Sequence, residues 1–387
     1  MANYDYEIVN GRKIRVRPKE TVSEIDKNGY FRRQPNHFTT PFGDGENDLK
    51  AEGNKRYRLV WAKLCHWSNR AAIARELEGL EDQISVNMVE HAPHEKNLGW
   101  EYVYNENNID PVFGDQFLSE AYYRADDDYQ GRTTVPALID TTTGKVVNND
   151  YNWLTTYFEV NFRPWHKKGA PELYPVELRE EVDKMNLWLF DNINNAVYRS
   201  SFSRSNEGHF DGVNTFYAAM DRLEKRLETN RFLFGDYVTD SDIRLYVTLA
   251  RLDIRYTAQL GETKHPLYTY KNLWGYAKEL WEIPAFKNNT FFADFAVPPA
   301  DAKGRIEGEE DGFRASTHYD LALPKIDWDA QWKVSTERAY LSSDPTHPIY
   351  LGNNRRFDID PTWYDLGAES PKKEEKETPP SCGCCCG

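Results

Sequence analysis

Four cysteines crowd the end of the chain, Cys382, Cys384, Cys385 and Cys386, and the rest of the 387-residue sequence holds only Cys65. An ionised thiol is a nucleophile and a soft metal ligand. Cys65 is followed by His66, Trp67 and Ser68, at the point where a strand-like run hands over to a helix-like one. The start of a helix offers unpaired N–H groups and the positive end of its dipole, and both favour thiolate. Nucleophilic attack by sulfur is therefore the chemistry the body of the chain can support. Ser68 stands where a Cys-x-x-Cys motif has its second thiol. Without that resolving thiol, a mixed disulfide on Cys65 must be resolved by an outside thiol. The plain alternative is that Cys65 is a small buried core residue. His66 is either a partner of the thiolate or a polar residue of the first helical turn, and the residues alone leave both open.

The elements around Cys65 follow from periodicity. Tyr57-Arg58-Leu59-Val60-Trp61 is expected as a strand. Cys65 to Leu80 is expected as a helix, with Trp67, Ala71, Ala74, Leu77 and Leu80 on its apolar face. Ile84 to Met88 alternates as a second strand. A loop-like stretch from His91 to Gln130 carries a short helix near Gln116 to Tyr123. Val135-Pro136 then leads into a strand ending at Asp140, Thr143-Gly144 turns it back, and Lys145-Val146-Val147 returns. A helix is expected from Tyr151 to Glu159. A strand-to-helix cysteine with a Val-Pro before a later strand is the thioredoxin-like plan, in which the proline is cis and its neighbour's backbone pairs with an extended peptide such as glutathione.

From Pro175 onward the pattern is helical. Leu178, Val182, Met185, Leu189, Ile193 and Val197 form one apolar stripe, and Val213, Phe216, Met220, Leu223 and Leu227 a second. Ile243, Tyr246, Leu249 and Ala250 begin a third, and Leu273, Tyr276 and Leu280 mark a fourth. Thr239-Asp240-Ser241-Asp242 is a capping box with Asp in place of Glu. The expected organisation is an arm over 1–50, a thioredoxin-like domain over 51–165, an all-helical domain over 170–297, an ordered extension over 298–369 and a disordered Cys-rich tail over 370–387. The tail spacing is not that of a structural zinc site. Its dense thiols suit soft metals, or serve no catalytic role at all. No metal is expected in the folded body.

Lys and Arg number 48 against 62 Asp and Glu, a net charge of −14. That balance disfavours nucleic acid and anionic membrane as main partners. No apolar run reaches the ~20 residues of a bilayer span, and the start lacks a signal-peptide pattern. Cysteine usage excludes a disulfide framework in the body, and a cytoplasmic location is expected.

Several segments together resemble the glutathionyl-hydroquinone reductases, the xi class of glutathione transferases, from about Lys50 to Phe295. They are Cys65-His66-Trp67-Ser68-Asn69-Arg70, Gly99-Trp100, Gly131 to Leu138, Asn149-Asp150-Tyr151, Asn194 to Tyr198, Phe232 to Asp236, Asp242 to Leu245 and Asn272 to Tyr276. The resemblance implies a thioredoxin-like α/β domain followed by an all-helical glutathione-transferase domain, with extensions at both ends. It implies glutathione as co-substrate, a glutathionylated aromatic as second substrate, and a homodimer. Cys65 would be the nucleophile. Trp100, Val135, Pro136, Asp150 and Tyr151 would bind glutathione, and Tyr198 and Tyr256 the hydroquinone oxygens. Trp100 and Tyr198 can also be read as packing residues, and Asp150 as a helix N-cap. The chain departs from the family pattern at His66, where the family has proline, at Ser68 and Asn69 for alanine and histidine, and at Asp150-Tyr151 for Glu-Ser. Two other readings stay open: an omega-like thiol transferase or dehydroascorbate reductase using the same Cys65 on different acceptors, and, because of those departures, a non-catalytic binding or scaffold protein of the same fold.

Overall fold

The computed structural model describes residues 4–17, 23–92, 98–261, 265–295, 327–333 and 338–342. A hairpin in the arm, β1 (Tyr6–Val9) and β2 (Arg12–Arg15), turns at Asn10-Gly11, both with positive φ. No strand was read in the arm from the sequence, and this hairpin is an addition to that reading. The first domain centres on β3 (Tyr57–Trp61), α1 (His66–Glu78) and β4 (Ile84–Met88). A small ladder, β5 (Glu90–His91) and β6 (Trp100–Glu101), and α2 (Leu118–Ala125) form the insertion. Then come β7 (Ala137–Asp140), β8 (Lys145–Asn148) and α3 (Leu154–Asn161).

The four-stranded sheet has the order β4-β3-β7-β8. β3 runs parallel to β4 and antiparallel to β7, and β8 is antiparallel to β7. A parallel neighbour needs a crossover, and α1 is that crossover. All five residues of β3 are buried, as a central strand covered on both faces requires. α1 ends at Gly79 in the left-handed region (φ 74), whose N–H closes on the last helical carbonyls.

α3 begins at Leu154, not at Tyr151 as expected. Asp150 Oδ1 accepts from the Asn152 N–H at 3.0 Å, and the Asp150 N–H donates to Asn148 Oδ1 at 2.9 Å. These side-chain turns hold 150–153 out of the helix, and Trp153 is its N-cap.

The second domain comprises α4 (Arg179–Leu189), α5 (Ala196–Phe202), α6 (Asn206–Arg226), α7 (Asp240–Arg251), α8 (Thr257–Leu260), α9 (Lys271–Trp281), α10 (Pro284–Asn288) and α11 (Phe292–Phe295). All four stripes read from the sequence lie in one core cluster. The first stripe is broken between α4 and α5 by a π-helical turn, Phe190–Asn194. A second π turn, Leu252–Tyr256, follows α7. Such turns are frequent at functional sites; here Tyr198 follows the first by one turn and Tyr256 closes the second. The box at Thr239 is formed: Asp242 Oδ2 accepts from the Thr239 N–H at 2.7 Å.

Of the extension expected over 298–369, only 327–333 and 338–342 are described; the remainder, and the tail over 370–387, lie outside the described residues.

Candidate active site

Cys65 is the N-cap of α1, in extended backbone (φ −80, ψ 115). Its Sγ lies 3.7 Å from the carbonyl oxygen of Val135. The Val135–Pro136 peptide is cis. The residue is buried at 8% exposure. Ser68 Oγ lies 3.2 Å from the Cys65 carbonyl oxygen and accepts from the Ala62 N–H at 3.1 Å. It therefore braces the turn that carries the thiol.

Arg251, at the end of α7, holds that turn from the other domain. Its Nε donates to the Leu64 carbonyl at 2.9 Å and its Nη2 to the Lys63 carbonyl at 2.8 Å. Both Nη atoms lie 3.2 Å from Asn69 Oδ1. A guanidinium can reach three acceptors in one plane, as a lysine cannot.

His66 is buried at 1% exposure. Its Nδ1 lies 3.0 Å from the Tyr256 hydroxyl and 3.3 Å from Thr248 Oγ1, while Nε2 has no partner. Burial, reinforced by Arg251, Arg70 and Arg33, holds the imidazole well below its usual range, so it is neutral. Of the two readings open for His66, the geometry matches a polar residue of the first turn, bonded to the helical domain.

Tyr256 is buried and Tyr198 is half-buried. The Tyr198 ring sits 5.2 Å from His66 and 5.6 Å from Trp67. Burial raises both phenols, Tyr256 well above its ordinary value, and so both keep their protons. Tyr151 packs on Trp67 with ring centroids 4.7 Å apart, and its carbonyl accepts from Arg70 Nη2 at 2.5 Å. Trp100 pairs with His91 across β5 and β6, with rings 5.0 Å apart. Cys65, Trp67, Val135, Trp100, Tyr151 and Tyr198 all belong to one cluster, and Tyr256 reaches it through His66 from the core of the helical domain. Cys65, Tyr151, Tyr198 and Tyr256 are therefore brought together around His66 and Trp67 where α1 meets the helical domain, while Trp100 sits against the same cluster from the β5–β6 side.

Asp150 differs in its contacts. Its Oδ1 also accepts from Asn36 Nδ2 at 2.9 Å, so the arm reaches this carboxylate. The arm makes further bonds here. Phe38 exchanges two hydrogen bonds with Asn149, at 3.0 and 2.9 Å, and Gln34 bonds both backbone groups of Arg132. Arg33 enters the seam between Trp67 and Tyr198, 4.5 Å from each ring. Sequence reasoning missed Arg33, Asn36 and Arg251, and quoted Asn149 only within a matched segment. The available signal for Arg251 was a charge at the end of an apolar stripe; no local pattern marks Arg33 or Asn36. Among the described residues, no group of three or more His, Cys, Asp and Glu could hold a metal ion. None of the described helices is long and apolar enough to cross a membrane.

Residues 198–279 match the family model for the glutathione S-transferase C-terminal domain. Glutathione S-transferase omega-like 2 of Schizosaccharomyces pombe is 34% identical over 278 residues, covering 69% of this chain and 87% of the relative. Glutathionyl-hydroquinone reductase YqjG of Escherichia coli is 32% identical over 237 residues, covering 61% of this chain and 72% of its own. A solved glutathione-bound structure of that Escherichia coli protein superposes with a TM-score of 0.61 at 31% identity, covering 69% and 87% of the two chains. The chain belongs to the glutathione transferase family, in its xi-class, glutathionyl-hydroquinone reductase branch. Its α/β domain is the thioredoxin-like half of that fold, and its helices are the transferase half.

Proposed function

We propose that the protein is a glutathione-dependent reductase that removes glutathione from glutathionyl-hydroquinones through Cys65. The observation that carries this reading is the placement of Cys65 Sγ, on the first turn of α1 and 3.7 Å from the Val135 carbonyl, beside a seam lined by two protonated tyrosines. The Cys65 thiolate attacks the sulfur of the aryl thioether. The S–C(aryl) bond breaks, its electron pair stays on the ring carbon, and that carbon takes a proton. The hydroquinone leaves, and Cys65 carries glutathione as a mixed disulfide. A second glutathione, as thiolate, attacks the glutathione sulfur of this disulfide. Oxidised glutathione departs and Cys65 returns to its thiolate.

In this reading glutathione is the co-substrate. Its cysteinyl unit lies along the Val135 backbone beside Pro136, and Trp100, Asp150 and Tyr151 border it. Tyr198 and Tyr256 donate hydrogen bonds to the hydroquinone oxygens. A second reading, a thiol transferase of omega type acting through the same cysteine, draws support from the omega-like relative. Mass spectrometry of Cys65 after exposure to a glutathionyl-hydroquinone tests the first reading. A gain of one glutathione on Cys65 together with free hydroquinone is expected. Modification by glutathione disulfide but not by the hydroquinone conjugate favours the second reading.

A further inference from the structure

The arm crosses the seam as a strap fixed at both ends. On the helical side, the Arg204 N–H donates to the Gly29 carbonyl at 2.6 Å and the Phe31 N–H to Ser203 Oγ at 3.0 Å. On the thioredoxin-like side, the strap is held by Arg132, Asn149 and Asp150. Arg33 lies between these anchors. Its Nε donates to Asn195 Oδ1 at 3.0 Å. Its guanidinium carbon sits 4.5 Å from the Trp67 ring and 4.5 Å from the Tyr198 ring, with Phe31 and Tyr151 at 5.6 and 5.7 Å. Its Nη2 is buried and has no hydrogen-bond partner.

Arg33 is half-buried as a residue, but its Nη2 is enclosed, and an enclosed donor without a partner is costly. The nearby carboxylates are already committed. Glu24 pairs with Arg132 at 2.8 Å and also accepts from the Gln34 N–H at 2.7 Å. Asp150 Oδ1 is taken by Asn36 and by the Asn152 N–H. Among the described residues no carboxylate forms an ion pair with Arg33. Aromatic faces stabilise the cation but leave its in-plane donors unused. The feature that remains is an unpartnered guanidinium N–H between the rings of Tyr198 and Trp67, the latter two positions after Cys65 in the chain.

We propose that Arg33 is a carboxylate-binding subsite of the Cys65 cleft, with Nη2 as the donor to an anionic group of the bound substrate. This rests on the reading of Cys65 as a glutathione-linked nucleophile. Arg–carboxylate pairing is the strong, directional form of such recognition. Two carboxylates are in question. One is the α-carboxylate of the glutamyl unit, since Tyr151 stands where the family has a small serine hydroxyl. The other is a carboxylate on the aromatic acceptor, since Tyr198 forms the opposite wall.

The test is calorimetric titration of the full chain, as wild type, Arg33→Met and Arg33→Lys. Four ligands are used: glutathione, its glutamyl α-carboxamide, a dihydroxyphenyl S-conjugate of glutathione, and the same conjugate with a ring carboxylate. Arg33→Met should weaken the carboxylate-bearing member of one pair by about tenfold or more, the loss of one charge-assisted hydrogen bond. The member lacking that carboxylate should be unaffected, and Arg33→Lys should recover part of the loss. Loss of discrimination between glutathione and its amide assigns the glutamyl carboxylate. Loss confined to the carboxylated ring assigns the acceptor. Equal weakening of both members of each pair, or no weakening, overturns the proposal and leaves Arg33 as a strap residue. If wild type binds none of the four, the proposed function itself has failed. Benzoate then serves as the probe: binding lost in Arg33→Met retains the subsite, and equal binding by both chains overturns it.

Discussion

Arg251 links the helical domain to the turn before Cys65, and its replacement by methionine tests the architecture of the site most directly. The guanidinium is fully buried and bonds the carbonyls of Lys63 and Leu64 and the side-chain oxygen of Asn69. Methionine keeps much of the volume and the contact with Phe295, whose ring the guanidinium carbon faces at 3.9 Å. It leaves the two carbonyls and Asn69 Oδ1 without that donor. At ~1.5–3 kcal/mol for each hydrogen bond from a charged donor, the two carbonyl bonds alone set a loss of roughly 3–6 kcal/mol. Arg251→Lys should lie between, because one ammonium cannot serve three acceptors held by a planar fork. Urea unfolding measures the stability, and alkylation of Cys65 measured alongside turnover reports the turn. The expected outcome for Arg251→Met is lower stability together with altered alkylation and reduced turnover. A methionine variant within about 0.5 kcal/mol of wild type, the usual effect of a surface substitution, would refute the reasoning.

Cys65→Ala and Cys65→Ser should both abolish reductase turnover with the fold retained, since a hydroxyl is not ionised near neutral pH; substantial activity in either would sink the mechanism. His66 is held well below its usual range in the fold but titrates near ~6.5 when unfolded. As pH falls through that value the unfolded chain takes the proton first, so stability should decline on the acid side, and His66→Asn should flatten that decline. Urea midpoints at about pH 5 and about pH 7.5 check it, and equal slopes for both chains would contradict it. Tyr198→Phe and Tyr256→Phe should each cost ~0.5–1.5 kcal/mol of transition-state binding with hydroquinone conjugates and little with glutathione disulfide; equal losses on both substrates would make these tyrosines scaffold.

The strands and stripes that build the two domains were legible because alternation and helical periodicity are local properties of the chain. Thr239 to Asp242 reads correctly as a box for the same reason: all four residues that make it are adjacent. The start of α3 was misjudged where two local effects compete. Asp150 looks like an N-cap, but Asn148 and Asp150 instead use their side chains to hold a turn. The π turn at Phe190–Asn194 leaves no mark in the apolar spacing from Leu178 to Val197 that crosses it, and the one at Leu252–Tyr256 lies past the stripe read for α7. Cys65, Trp100 and Tyr198 were singled out through motifs, which are local in the chain. The partners of His66 were not, because Thr248 and Tyr256 lie 182 and 190 residues away. Arg33 reads as one more charge in a polar arm until the fold closes aromatic rings around it.

The bond from Arg251 to the Leu64 carbonyl spans 187 residues of chain. Synthesis runs from the N-terminus at ~5–20 residues per second, so the turn bearing the thiol precedes its clamp by roughly 10–40 s. Throughout that interval the sulfur belongs to a nascent half-protein whose Lys63 and Leu64 carbonyls must find other partners. An electrophile or oxidant present then meets a cysteine without the enclosure of the finished seam. Enclosure of Cys65 is thus completed only when α7 has been made, and any pause between β8 and α7 prolongs its exposure.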